Sequence, residues 1–127
     1  MAIKKELVIS GQTVKFRASA TIPRLYRLKF GRDIFRDLSK LEKSYRENGD
    51  EDGGSTIPIE DLELFENGAY IMAYHADNTI PNTIDEWLDQ FDMFSIYEIL
   101  PEILELWGRN VMTDVEAKKK LEKLTAN

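Results

Sequence analysis

Seven carboxylates fall within residues 85–105: Asp85, Glu86, Asp89, Asp92, Glu98, Glu102 and Glu105. Asp85 and Asp89 stand four residues apart, as do Glu98 and Glu102, so each pair shares one face of a helix. Such pairs can bind a divalent cation or divide general-acid and general-base roles. The acid–base pairs of glycosidases, however, flank a cleft with two walls, whereas these line the outer faces of two amphipathic helices. A solvated acidic surface is the expectation. His75 is the single histidine and there is no cysteine. That excludes a two-histidine metal site, a thiolate nucleophile and any disulfide. His75 lies in the most apolar helical stretch, where a hydrogen-bonded structural imidazole is expected. No phosphate-binding loop, Gly-rich dinucleotide turn or nucleophile elbow occurs. The chain therefore reads as a non-enzyme with neither cofactor nor metal.

One further stretch invites a metal reading. With Asn48 as the first position of a calcium loop, Asp50, Asp52 and Gly53 take the third, fifth and sixth. The match then fails, because Ser55 stands at the apolar eighth position and Ile59 at the twelfth, where a bidentate glutamate is required. Glu60 comes one residue late, and Pro58 sits where the exiting helix should have begun. Residues 48–58 read as an acidic linker between helices.

The elements that would position these groups centre on residues 83–107. Ile84, Trp87, Leu88 and Phe91 recur at helical spacing, and Ile96, Ile99, Leu100, Ile103 and Trp107 repeat the pattern. Both tryptophans lie here, so a core is expected around this stretch. Thr83 with Glu86, and Ser95 with Glu98, have capping-box spacing. Pro101 has no N–H for the carbonyl of Tyr97, so the second helix must kink or restart there. Upstream, Leu7 and Ile9, then Val14, Phe16 and Ala18, alternate as in a β-hairpin turning at Ser10-Gly11-Gln12. Thr21 is placed to cap a helix with Pro23 in its first turn. Leu25, Leu28, Ile34, Leu38, Leu41 and Tyr45 follow as a stripe, which Gly31 breaks or kinks. Ile59, Leu62, Phe65, Ala69, Met72 and Ala76 mark a further helix, and Leu64, Tyr70, Ile71 and Tyr74 make it apolar around its girth, as a helix buried on several sides should be.

These elements predict a mainly α (α+β) fold: an N-terminal β-hairpin over 6–18 packed on a bundle of about five helices. Helices are expected over about 22–46, 59–77, 84–91 and 95–109, within a single domain spanning 1–112. A charged C-terminal helix or tail occupies 113–127. No apolar run has the length of a membrane span or follows the N-terminus as in a signal peptide, which points to a cytoplasmic protein.

The net charge of −6 conceals an asymmetry. Residues 1–46 hold 12 Lys and Arg against 4 Asp and Glu, a net of +8, whereas residues 47–110 hold 1 Arg against 16 Asp and Glu, a net of −15. The halves can neutralise each other within one fold, leaving a solvated acidic face. They can also meet between copies in a head-to-tail homo-oligomer. Arg24, Arg27, Arg32, Arg36, Lys40 and Lys43 form a basic face, but no aromatic residue interleaves for base stacking and the chain as a whole is acidic. Neither nucleic acid nor membrane is an expected partner.

Three segments, taken in order, carry a family resemblance: Thr21-Ile-Pro-Arg-Leu-Tyr-Arg-Leu-Lys-Phe-Gly-Arg-Asp33, Ala69-Tyr-Ile-Met-Ala-Tyr-His-Ala-Asp77, and Glu86-Trp-Leu-Asp-Gln-Phe-Asp92 with Ile96-Tyr-Glu-Ile-Leu-Pro-Glu-Ile-Leu-Glu-Leu-Trp107. From the hairpin to about Asn110 the chain resembles the tail assembly chaperones of long-tailed (siphovirus-type) phages and prophages of Gram-positive bacteria. Its shared parts are helix-packing patterns, not catalytic signatures. The resemblance implies a non-structural protein of the infected or lysogenic cell, absent from the mature virion. Such a protein coats the helical tape measure protein and keeps it soluble until tail tube protein polymerises around it. It also implies a longer frameshifted product, for which Lys118-Lys119-Lys120 could be encoded by a slippery run. The residues expected to meet a partner are aromatic residues beyond what one core needs: Tyr70, Tyr74, Phe94 and Tyr97. Two rivals remain. One is a small acidic adaptor or inhibitor mimicking nucleic-acid charge through residues 47–110, tested by competition with DNA. The other is a metal-dependent hydrolase built on the helix carboxylates, tested by a thermal shift with divalent cations.

Overall fold

A computed structural model describes residues 3–48 and 57–108. The fold is α+β: an antiparallel hairpin followed by five α-helical segments among the described residues. The tail at 113–127 and most of the acidic linker lie outside them.

The hairpin pairs β1 (Ile3–Ile9) with β2 (Gln12–Ala18), from Ile3 opposite Ala18 to Ile9 opposite Gln12. The connection is two residues, tighter than the three expected. Ser10 (φ 52°) and Gly11 (φ 77°) are both left-handed, as the tight turn that matches strand twist requires. The inward face is the expected one, with Ile9, Phe16 and Ala18 buried and Leu7 and Val14 half-buried. Serine at a left-handed position is uncommon, and its side chain has a use here: Ser10 Oγ accepts the N–H of Asp92 at 2.9 Å, tying the turn to the C-terminal half.

Gly31 ends α1 (Ile22–Phe30) with φ 66° and returns its N–H to the Arg27 carbonyl at 2.8 Å. The expected break is therefore real, and α2 (Ile34–Asn48) starts afresh. Asp33 caps it, its Oδ1 accepting the N–H of Phe35 at 2.9 Å. Two expectations at α1 are corrected. Thr21 makes no side-chain cap, because its backbone is already helical (φ −76°, ψ −24°). Ser19 closes the turn instead, its Oγ accepting the Thr21 N–H and its carbonyl that of Ile22. Leu28 is not part of a buried stripe, being 67% exposed, while α1 buries Ile22 and Tyr26. The stripe assumed one helical phase across residues 25–45, and the turn at Gly31 resets it.

The central element is α3 (Ile59–Ala76), which packs against β2, α2, α1 and α4. This revises the expectation that the core forms around residues 83–107. That stretch forms one flank, through Trp87, Ile96, Ile99, Leu100, Ile103, Leu106 and Trp107. Only Ile59 of the predicted α3 stripe stays exposed, since the first turn overhangs the core. Gly68 faces α2 so closely that a Cβ would stand 3.1 Å from Leu38 Cδ2, so the missing side chain sets the approach of the two helices.

The helix predicted over 84–91 is shorter, α4 (Ile84–Leu88). Thr83 Oγ1 accepts the Glu86 N–H at 3.2 Å, as its spacing predicted. Beyond Leu88 the chain tightens into i→i−3 bonds, including Gln90 N to the Trp87 carbonyl and Phe91 N to the Leu88 carbonyl. The helix predicted over 95–109 is likewise replaced at its start. Residues Tyr97–Ile99 form a 3₁₀ turn, and α5 covers residues 100–108. The reason is Pro101. With no N–H there, the Tyr97 carbonyl accepts from Leu100 instead, and the α-helix begins with proline in its first turn. The Ser95 side chain caps nothing; its carbonyl receives the Glu98 N–H at 3.3 Å.

Candidate partner-binding cleft

Tyr70 sits on the α3 face toward α1, fully buried, its ring 5.6 Å from Trp87 and 6.0 Å from Tyr74. Its hydroxyl donates to the Pro81 carbonyl at 2.6 Å, which pins the 77–83 loop against the helix. Burial, with the neighbouring Tyr74 and Glu86, pushes the phenol above its ordinary range. Lys29 Nζ lies 5.3 Å from the centre of the Tyr70 ring and 3.5 Å from the Asn82 carbonyl.

Around this anchor opens a cleft of about 380 Å³ between α1 and α3, lined by Leu25, Leu28, Lys29, Tyr70, Ile71, Tyr74 and Asn82. Its walls are mostly apolar. Lys29 is the charged residue of this lining; Arg24 is exposed one turn before Leu28, and Arg27 turns to the other side of α1, beside Gly31 and Phe35. Among the described residues, none of the three cations is in an ion pair. The cleft is thus greasy inside and basic at one rim, and it offers an apolar side chain, Leu28, directly to solvent.

Two of the four expected partner residues, Tyr70 and Tyr74, meet here. Tyr70 supplies the floor and Tyr74 a half-exposed wall. Phe94 and Tyr97 do not line the cleft. Tyr97 is half-buried, 5.9 Å from Phe65, and donates to Glu66 Oε2 at 2.7 Å. Phe94 is 73% exposed, beside Met93 at 77%, on the turn before the 3₁₀ segment. Leu28 and Lys29 were missed as site residues because Leu28 was read as core. Their signal lay in reading α1 alone, where Ile22 and Tyr26 make the buried pair and Leu25 and Leu28 the neighbouring one.

The carboxylates behave as surface and structure. Asp85, Asp89 and Glu98 are exposed, and Glu102 pairs with Lys5, with Glu105 3.8 Å from the same amine. Lys40 Nζ lies 3.4 Å from the buried Asp61. Both contacts join the basic and acidic halves within one molecule. No group of three or more metal-ligating side chains gathers among the described residues. His75 Nε2 is 3.0 Å from Ser19 Oγ, and burial, together with Arg17, lowers its basicity. No described helix is long and apolar enough to cross a membrane. Comparison with known protein families, curated proteins and solved structures finds no match.

Proposed function

We propose that this protein is a non-enzymatic tail assembly chaperone of a siphovirus-type phage or prophage. It acts in the cytoplasm of the bacterial host, binds the tape measure protein, and keeps it soluble until the tail tube forms; it does not enter the mature virion. The observation that supports this reading is the α1–α3 cleft. A long helical partner exposes a repeating apolar stripe, and a groove of apolar walls with an unburied leucine at its mouth suits one face of such a helix. Its polar rim favours specific register over indiscriminate sticking. The order of the three sequence segments supplies the choice of partner.

The test is co-expression with the large coiled-coil-rich protein encoded downstream, followed by pull-down at low and high salt. The partner is expected to be soluble and to co-purify only when this chain is present, with less recovered as salt screens the charged rim. A partner that stays insoluble, with no complex at either salt, overturns the assignment.

A further inference from the structure

We infer that the α1–α3 cleft selects acidic amphipathic helices: segments whose apolar stripe is flanked by Glu or Asp. This rests on the cleft being the partner site of the proposed function, and it adds the sign of the charge and the residues that read it. The argument begins with Leu28. An exposed leucine, followed immediately by a lysine that roofs a buried tyrosine, stands at the mouth of an otherwise apolar cleft. Leu25, Leu28, Ile71 and Tyr74 offer a surface for side chains at i, i+3, i+4 and i+7. Lys29 lines the cleft, and Arg24 is exposed one turn before Leu28 on the same short helix. A helix entering with flanking lysines would bring like charges together at a partly desolvated rim. One with flanking glutamates would gain Lys29 and the nearby Arg24, neither of which is in an ion pair among the described residues. Asn82 and the Pro81 carbonyl close the far side, where Glu86 is near enough to act on the Tyr70 phenol, so the attraction for a glutamate comes from the α1 side alone.

The probes are two designed helical peptides of equal length, with leucine at i, i+3, i+4 and i+7, one flanked by glutamate and the other by lysine. Each is titrated into the full chain while backbone amide NMR shifts are followed. The glutamate peptide should bind at least about tenfold tighter, with shifts centred on residues 25–29 and 70–74. Leu28→Asp should weaken it about tenfold or more, and Lys29→Glu should reverse the preference between peptides. Because Leu28 is exposed, Leu28→Asp should melt at the wild-type temperature, which separates lost binding from lost folding. Equal affinity for both peptides, binding indifferent to Leu28→Asp, or no binding overturns the inference. Co-expression with the tape measure protein separates the two claims. If wild type and Leu28→Asp solubilise it equally, the cleft is wrong and the chaperone reading survives. If the glutamate peptide binds as expected but wild type leaves the tape measure protein insoluble, the cleft stands and that reading falls.

Discussion

Two of the breaks between helices, at residues 31–33 and at residues 89–99, have beside them a tyrosine hydroxyl on a carboxylate. At the first, Tyr26 donates to Asp37 Oδ2 at 2.7 Å, and Arg32 grips both oxygens of the same carboxylate at 2.7 and 2.9 Å. Tyr26 and Asp37 are buried. Burial works to raise the Asp37 carboxyl, but the hydrogen bonds from Arg32 and Tyr26, with the charges of Arg32 and Lys40, outweigh it and hold the group below the usual carboxylate range. Burial and the Asp37 carboxylate push the Tyr26 phenol far up. At the second, Tyr97 donates to Glu66 at 2.7 Å with no cation present, and both residues are half in water. Burial, then the hydrogen bond and charge of Glu66, push its phenol up to about 12. The first latch depends on its buried pair, Tyr26 and Asp37, because a buried carboxylate without its donor is costly. The second can exchange its partner for water.

The largest effect is expected from Asp37→Ala. It removes the acceptor of the buried Tyr26 hydroxyl, which keeps only its bond with Asn67, and urea denaturation should show a loss of about 2–3 kcal/mol. Arg32 is half exposed, so its charge is screened and adds little to that figure. Asp37 also sets an acid signature. Its folded pKa lies below the unfolded value of about 3.9, so the stabilisation is complete above that pH and is lost as pH falls through the folded value. Thermal melts of Asp37→Asn across this window should show a flatter acid decline than wild type. An unchanged slope would remove Asp37 from the account.

Gly31→Ala comes next. No atom crowds a Cβ there, so the cost is the left-handed backbone alone, about 1 kcal/mol in the same assay. Tyr97→Phe should cost less, about 0.5–1 kcal/mol, because Glu66 keeps access to water. A loss equal to that of Asp37→Ala would make the latches equivalent. Smallest is Pro101→Ala. It returns an N–H to the Tyr97 carbonyl and should shift stability by no more than about 0.5 kcal/mol, since Pro101 is exposed. A gain of α-helical amide signals at residues 97–99 would confirm that proline alone sets the 3₁₀ turn.

The two interruptions also differ in how far they could be read in advance. Gly31 announced itself, since a glycine at the end of an apolar repeat with Asp33 just beyond specifies a stop and a start by local sterics and capping. Pro101 announced a restart but not how much helix would be lost before it. Residues 89–99 follow from the competition between i→i−3 bonds and the contact of Asp92 with Ser10, which is tertiary. The cleft shows the same division. Tyr70 and Tyr74 were expected as aromatics beyond the core's needs, but Tyr70 is buried in the core and forms the floor, which depends on where α1 lies.

Local sequence is enough for the hairpin and its inward face, the extent of α3, the break at Gly31, the cap at Thr83 and the buried stripe of residues 96–107. In each of these a local rule of backbone geometry or a sustained hydrophobic period decides, whatever surrounds it. Tertiary structure alone decided that α3 and not residues 83–107 lies at the centre, that Gly68 lets Leu38 approach, that Leu28 faces water, and that Asp37 is shared by Tyr26 and Arg32. Those outcomes depend on the relative position of separate elements, and an exposed and a buried leucine carry the same letter until a neighbouring helix is in place.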